Sequence, residues 1–220
     1  KGYSLADLQN EANSKFGYSA QKTLDICQAL YETYKLTSYP RSDCQYLPES
    51  QHHEAKEIIS ILNNKLAHIS KLGLSVLLDN TTPSIKSKTF DDSKVTAHHA
   101  IIPTRQKGDI TKLSSDELNV YILIVKRYIS QFYPECRVSA TTIELESNTH
   151  KFVASGSIIL DAGFKVVTGK DSADKDSDSQ TLPKLAKGQA VDVLNIAGVT
   201  KKTTPPSAYT EGSLIKAMEN

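Results

Sequence analysis

The chain has 220 residues, of which 39% are hydrophobic and 23% charged, and its 26 Lys and Arg against 25 Asp and Glu give a formal net charge of +1. This is the balance of an ordinary globular protein, long enough for one large domain or two small ones. No apolar run approaches the roughly 18 residues that a membrane-spanning helix needs. Because the chain is nearly neutral, its overall charge gives no reason to expect nucleic-acid binding. Evidence for such a function would have to come from individual residues.

Three widely spaced cysteines, Cys27, Cys44 and Cys136, form no CxxC pair. They indicate neither a disulfide framework nor a cysteine zinc site. We therefore expect a reducing compartment, the cytoplasm. The chain opens at Lys1 directly before a helix signal and stops at Asn220 within another, which predicts a piece of a longer protein.

The first third of the chain is predicted to be helical. Apolar spacing predicts one helix over residues 4–15 and a second beginning after Ser19, its N-cap. The helical pattern breaks over residues 37–43, because a residue before proline is disfavoured in a helix and Ser and Asp favour turns. Tyr39 is therefore expected on a non-helical segment.

A long loop separates the helices of the middle region. Pro48-Glu49 can start a third helix, and residues 70–78 form a shorter apolar segment. Residues 80–110 are rich in polar residues and proline, and a loop of this length inside a compact domain is usually functional. The capping box at residues 114–117 opens a strong helix that reaches about Phe132.

After this helix the spacing of apolar residues changes from a helical to an alternating pattern. Alternating residues predict two antiparallel strands over Arg137–Glu146 and Lys151–Leu160, and Val191–Ile196 is predicted as another strand. The polar segment Gly169–Thr181 predicts a mobile surface loop. Helices that precede strands, without alternation, favour an α+β fold.

The segment Tyr39-Pro40-Arg41-Ser42-Asp43 holds the parts for attack on a phosphodiester. A phenol can act as the nucleophile, and a guanidinium can bind phosphate oxygens in a bidentate manner. A phenol, with a pKa of about 10, is a better leaving group than a sugar hydroxyl, so the break could be resealed without ATP. A packed turn with a surface arginine is the simpler alternative.

Histidine pairs are the second chemical signal. His98 could donate a hydrogen bond to a phosphate oxygen or assist proton transfer. The adjacent pair His98-His99 lacks the spacing of a helical zinc site, and adding His52-His53 does not repair it. A structural role for these histidines remains the alternative, and we predict no metal site.

Four motifs in order resemble those of bacterial type IA DNA topoisomerases, in particular the topoisomerase III branch. They are Ser4–Gln9 with Phe16–Asp25, Leu36–Asp43, Ala97–Thr104 and Thr204–Glu211. The resemblance implies that Tyr39 forms a 5′-phosphotyrosine with a transiently cut single DNA strand. It also implies that Arg41 positions the scissile phosphate and that His98 forms a hydrogen bond near it.

The resemblance also implies further contacts with single-stranded DNA, although the motif matches at these residues are less specific. Gln21, Lys22 and Asp25 on the second helix would line the same cleft. Thr210 and Glu211 would either touch the strand or cap a helix.

The resemblance also implies a division into domains. Residues 1–132 would form a helical, winged-helix-like gate domain, residues 133–202 part of an antiparallel β arch, and residues 203–220 the return into the single-strand-binding domain. The Mg²⁺ of the full-length enzyme would be bound by a TOPRIM domain that this chain lacks, since the alternating Asp174, Asp176 and Asp178 lie in a polar loop. We expect no cofactor in this piece, which alone should neither cleave nor relax DNA.

Two other functions compete with this one. A rolling-circle relaxase also pairs a tyrosine with histidines, but its metal site uses a His-hydrophobe-His pattern that His98-His99 does not match. A non-catalytic, winged-helix-like DNA-binding or assembly module would bind DNA independently of Tyr39, without gathering Arg41 and His98 around the phenol.

Overall fold

The computed structural model describes residues 1–66, 73–106, 108–169 and 181–218. These residues form two compact units. The first comprises Lys1–Glu135, Gly163–Gly169 and the residues from Tyr209 onward, and the second comprises Cys136–Ala162 and the remaining residues up to Ala208.

The first unit is helical. Its helices are α1 (Leu5–Phe16), α2 (Ala20–Gln28), α3 (Ala55–Leu66), α4 (Leu74–Asp79), α5 (Ser115–Ile129), α6 (Lys165–Thr168) and α7 (Glu211–Met218). A π-helical turn, Ala29–Thr33, extends α2, while 3₁₀ turns at Glu49–Glu54 and Ser130–Phe132 adjoin α3 and α5. The predicted helices are confirmed; α4 lies in the apolar segment 70–78, of which residues 70–72 are outside the described residues.

Serine N-caps begin three of these helices. The side chains of Ser4, Ser19 and Ser114 accept hydrogen bonds from backbone N–H groups in the first turns of α1, α2 and α5. At α5 the Glu117 carboxylate completes the predicted capping box. Gly17 ends α1 in the left-handed conformation, with φ of 70°. Local sequence therefore fixes these boundaries.

Helix α5 is the centre of the core. Its residues from Val120 to Val125 are all buried, so the helix has apolar neighbours on every side. The N-terminal part of the long loop is fixed to the turn that follows α5, where Ser87 and Thr89 both donate hydrogen bonds to the Gln131 side chain at 2.9 and 2.6 Å. These two bonds tie residues 87–89 to the helical core.

Helix α7 packs against α1. A Cβ atom at Gly212 would lie 2.9 Å from the Cα of Asn10, so the close approach of the two helices requires glycine.

The second unit contains a two-stranded antiparallel hairpin. Strands β1 (Arg137–Ser147) and β2 (His150–Asp161) pair from Ser147 and His150 outward, and Asn148 adopts a φ of 55° in the turn. Both predicted strands are confirmed, and with the helical unit they give the expected α+β class. None of the described helices is long and apolar enough to cross a membrane.

The predicted third strand is wrong. Residues 191–196 have no regular structure and their side chains are exposed, Leu194 by 95%. A strand forms only where a neighbouring edge offers backbone partners, and within the described residues of this unit the only sheet is the two-stranded hairpin. Most of the predicted loop Gly169–Thr181 lies outside the described residues.

Candidate active site

The π-helical turn at the end of α2 directs the chain into the Tyr39 segment. After it, Lys35 takes up a left-handed conformation with φ of 56°, and the Leu36 N–H donates to the Leu30 carbonyl at 2.8 Å. Left-handed backbone is unfavourable for a residue with a Cβ, so it marks a sharp reversal of direction. The chain therefore leaves the helix immediately before the Tyr39 motif.

Backbone pairing then brings the tyrosine and histidine motifs together. The Ser38 N–H donates to the Ile102 carbonyl at 2.9 Å, and the Ile102 N–H donates to the Ser38 hydroxyl at 3.0 Å. The Thr104 N–H donates to the Leu36 carbonyl at 3.0 Å, and Thr37 forms a β-bridge with Pro103. Two segments that are more than sixty residues apart in sequence are thus fixed in register.

Tyr39 lies between two other rings at this junction. Its ring centroid is 4.7 Å from that of His98 and 5.6 Å from that of Tyr31, which approaches edge-on at 86°. Tyr39 is nevertheless 39% exposed. The phenol is therefore held by neighbours and still accessible to a large substrate.

The residues after Tyr39 divide between solvent and core. Arg41 is exposed and forms no ion pair with any described residue. Ser42 is buried, and its carbonyl accepts a hydrogen bond at 2.8 Å from the N–H of Leu5, the first residue of α1. The buried Ser42 anchors the segment to α1, while Arg41, two residues after Tyr39, remains exposed at the surface.

The two adjacent histidines have different surroundings. Nδ1 of His99 lies 2.8 Å from the Ala100 carbonyl oxygen, and its Nε2 lies 2.9 Å from the Gln51 side-chain nitrogen. A carbonyl only accepts, so Nδ1 of His99 carries a proton and Nε2 accepts from Gln51. The His98 ring is exposed and packs against Tyr39. His99 therefore has a structural role, and His98 faces the phenol.

Comparison with known proteins identifies the family. A family model described as DNA topoisomerase matches residues 1–220. DNA topoisomerase 3 of Salmonella typhimurium is 39% identical over 216 residues, which are 98% of this chain and 32% of that protein. DNA topoisomerase 3 of Bacillus licheniformis is 36% identical over 228 residues, covering 99% of this chain and 30% of that protein.

The chain belongs to the DNA topoisomerase family. The resemblance to bacterial type IA enzymes of the topoisomerase III branch is thereby confirmed. In fold, the chain is also similar to full-length topoisomerase I from Thermotoga maritima, with a TM-score of 0.62 and 24% identity over all of this chain and 34% of that one. The chain spans about a third of the length of the curated relatives that it matches.

The three residues proposed on α2 lie on its exposed face in this topoisomerase-family chain. Gln21 donates a hydrogen bond to Asp25 at 2.7 Å. Lys22 donates to Asp116 at 2.7 Å and lies 4.2 Å above the Tyr18 ring. This hydrogen bond raises the pKa of Lys22 and lowers that of Asp116. Among the described residues, none of the three forms a hydrogen bond or ion pair with Tyr39, Arg41 or His98.

Thr210 caps a helix. Its hydroxyl accepts from the Ser213 N–H at 3.2 Å, and its own N–H donates to the Ser213 hydroxyl at 2.8 Å. Glu211 follows as the exposed first residue of α7. Of the two roles predicted for Thr210, the cap is therefore present in the structure.

Tyr31 is the site residue that sequence reasoning missed. Its position on the apolar face of the second helix indicates only a core residue. The π-helical turn, which turns its ring toward Tyr39, leaves no recognisable signal in the residue pattern.

Proposed function

We propose that this chain supplies the nucleophile of a type IA DNA topoisomerase. The observation that carries the proposal is the grouping of Tyr39 with His98, two residues before an exposed Arg41, in a chain of the DNA topoisomerase family. The full protein would cut one DNA strand, pass another through the break and reseal the first without ATP. Relaxation or decatenation of DNA would result.

The cleavage step is a transfer of a phosphoryl group to Tyr39. The phenol loses its proton to water, and its oxygen forms a bond to phosphorus while the bond from phosphorus to the 3′ oxygen breaks. The departing 3′ oxygen gains a proton, and the other DNA end remains attached through a 5′-phosphotyrosine. The reverse reaction needs only the 3′ hydroxyl, because the phosphotyrosine bond keeps the reactivity of the bond that was broken.

The neighbours of Tyr39 suit this step chemically. The exposed guanidinium of Arg41 can bind two oxygens of the scissile phosphate and hold it in line with the phenol. His98, next to Tyr39, can donate a hydrogen bond to the charge that develops on a phosphate oxygen. Tyr31 limits how far the Tyr39 ring can rotate.

The proposed roles of the chain's segments in strand passage follow its predicted division into domains. We assign residues 1–132 to a gate that carries the cut DNA end, residues 133–202 to part of an arch, and residues 203–220 to the return into the strand-binding domain. Single-stranded DNA and the rest of the same polypeptide would be the partners, and the cytoplasm the compartment. Contacts along the strand would be added by Gln21, Lys22, Asp25, Thr210 and Glu211.

Mg²⁺ would be held by another domain of the same polypeptide. Within the described residues, no group of three or more His, Cys, Asp or Glu side chains could hold a metal ion. A divalent cation would supply electrostatic stabilisation of the phosphate when bound. Cleavage and relaxation of DNA would, on this proposal, require that domain together with this chain.

The competing function is a non-catalytic DNA-binding or assembly module. Such a module does not require Tyr39 and His98 to be in contact, whereas their ring centroids lie 4.7 Å apart. Both side chains are also exposed, so a DNA strand could reach them. The catalytic role is better supported.

A chimera tests the proposal. This chain would replace the matching segment of Salmonella typhimurium DNA topoisomerase 3, and the purified protein would be mixed with a single-stranded oligonucleotide labelled at its 3′ end. We expect the label to become covalently attached to the protein. Tyr39→Phe should abolish this capture, and Tyr46→Phe, which removes a phenol outside the cluster, should not. Two results would refute the assignment: covalent capture of DNA by the Tyr39→Phe chimera, or capture of an oligonucleotide only when the label is at its 5′ end.

A further inference from the structure

A second concave site lies in the helical unit. A cavity of about 260 Å³ opens between α1, α5 and α6. It shares no residue with the cluster of Tyr31, Tyr39 and His98. One water molecule needs about 10–15 Å³ of such a volume, so the cavity suits a ligand of many heavy atoms rather than a single ion.

Positive charge is in excess around this cavity. Lys15, Lys126 and Arg127 line it, against the single carboxylate of Glu11. Glu11 accepts hydrogen bonds from Lys15 at 2.6 Å and from Arg127 at 2.7 Å. Lys126 forms no ion pair with any described residue. The formal charge of the lining is thus +2, and it is Lys126 that lacks a counter-ion.

The surroundings of Lys126 favour an anionic ligand. Burial and the nearby Lys15 ammonium lower the pKa of Lys126, and Glu11 offsets this only in part. An anion in the cavity would relieve the repulsion between the two lysines. The positions of these cations and their partial burial would therefore favour a negative ligand.

The cavity also has a planar and apolar part. The Arg127 guanidinium lies 4.4 Å from the centroid of the Tyr3 ring, which orients its fork of N–H donors. Phe16 forms part of the wall; its ring centroid lies 5.2 Å from that of Tyr18, and the residue is still 37% exposed, so part of the ring is accessible to a ligand. The Asn119 side chain adds a polar group on the same wall.

We propose that this cavity binds a nucleotide, with its phosphate between Lys126 and Arg127 and its base against Phe16. A phosphate monoester carries close to two negative charges, which match the charge of the lining. The guanidinium fork fits phosphate oxygens, and bases stack on aromatic rings. The nucleotide is either free or one unit of a DNA strand, and the site does not depend on chemistry at Tyr39.

Calorimetric titration of the 220-residue chain tests the site. The probes are thymidine monophosphate, thymidine and a single-stranded thymidine octamer. We expect the monophosphate to bind and thymidine to bind far more weakly. Lys126→Gln should weaken the binding of the monophosphate about tenfold, the loss of one charge-assisted contact, and Lys126→Arg should restore it. The matched control is Lys56→Gln, which removes an exposed lysine of α3 and should change nothing.

The outcomes separate the two sources of the ligand. Tighter, Lys126-dependent binding of the octamer identifies a DNA strand, whereas Lys126-dependent binding of the monophosphate alone identifies a free nucleotide. Unchanged affinity in Lys126→Gln, with an unchanged circular dichroism spectrum, would overturn the proposal, as would equal binding of thymidine. Tyr39→Phe should leave these titrations unaltered, so failure here is distinct from failure of the cleavage function.

Discussion

Ser38 joins the tyrosine motif to the histidine motif, and removing its hydroxyl should weaken both the fold and the site. The Ser38 hydroxyl accepts from the Ile102 N–H at 3.0 Å and lies 3.3 Å from the Ala100 carbonyl, to which it donates. Ile102 is only 6% exposed, so in Ser38→Ala its N–H would have no ready substitute from water. A buried donor without a partner costs about 1–3 kcal/mol, and the second, longer bond adds less. We therefore expect Ser38→Ala to lower the free energy of unfolding by about 2 kcal/mol.

Urea unfolding followed by circular dichroism measures this loss. Ser60→Ala is the matched control, because Ser60 is exposed on α3 and alanine favours a helix. Nuclear Overhauser contacts between the rings of Tyr39 and His98 should weaken in Ser38→Ala and not in the control. A loss below about 0.5 kcal/mol, the usual range for surface substitutions, would show that the hydroxyl does not hold the two motifs together.

Three further substitutions test other parts of the account. Tyr31→Ala should slow covalent DNA capture by the chimera several-fold, whereas Tyr31→Phe, which keeps the ring beside Tyr39, should not; equal rates would exclude a positioning role. Thr210→Ala should destabilise α7 by about 1 kcal/mol through the lost cap, seen as faster hydrogen exchange of the Leu214 amide, which is bonded to the Thr210 carbonyl. Burial alone would raise the pKa of Glu11, but hydrogen bonds from Lys15 and Tyr3 and the Arg127 charge lower it. The stability that Glu11 adds should be complete above its ordinary value of 4.5 and be lost as the pH falls through the folded value, and Glu11→Gln should remove this dependence from unfolding curves.

The features that could be predicted from sequence are those set by neighbouring residues. Ser19 and the capping box at Ser114 placed the starts of α2 and α5, because capping is decided within one helical turn. The proline after Tyr39 placed that residue outside a helix for a similarly local reason. The pairing of Tyr39 with His98 was expected only because their motifs resemble those of a family.

The features that sequence could not provide depend on distant partners. Residues 191–196 alternate as a strand does, but alternation does not create the neighbouring edge that a strand needs. From the sequence, Lys22 would be an unpaired cation on a helix. The fold brings the Asp116 carboxylate within 2.7 Å of its ammonium group. The same holds for Tyr31 and for the cavity beside Lys126, which is formed by three helices from separate parts of the chain.

Peptide mapping of the covalent complex tests the central claim most directly. The chimera would be trapped on DNA, digested with protease and nuclease, and analysed by tandem mass spectrometry for a peptide that carries a nucleotide 5′-phosphate. We predict that this modification lies on Tyr39. Its presence on Tyr31, the phenol whose ring centroid is 5.6 Å away, or on any other residue would contradict the account.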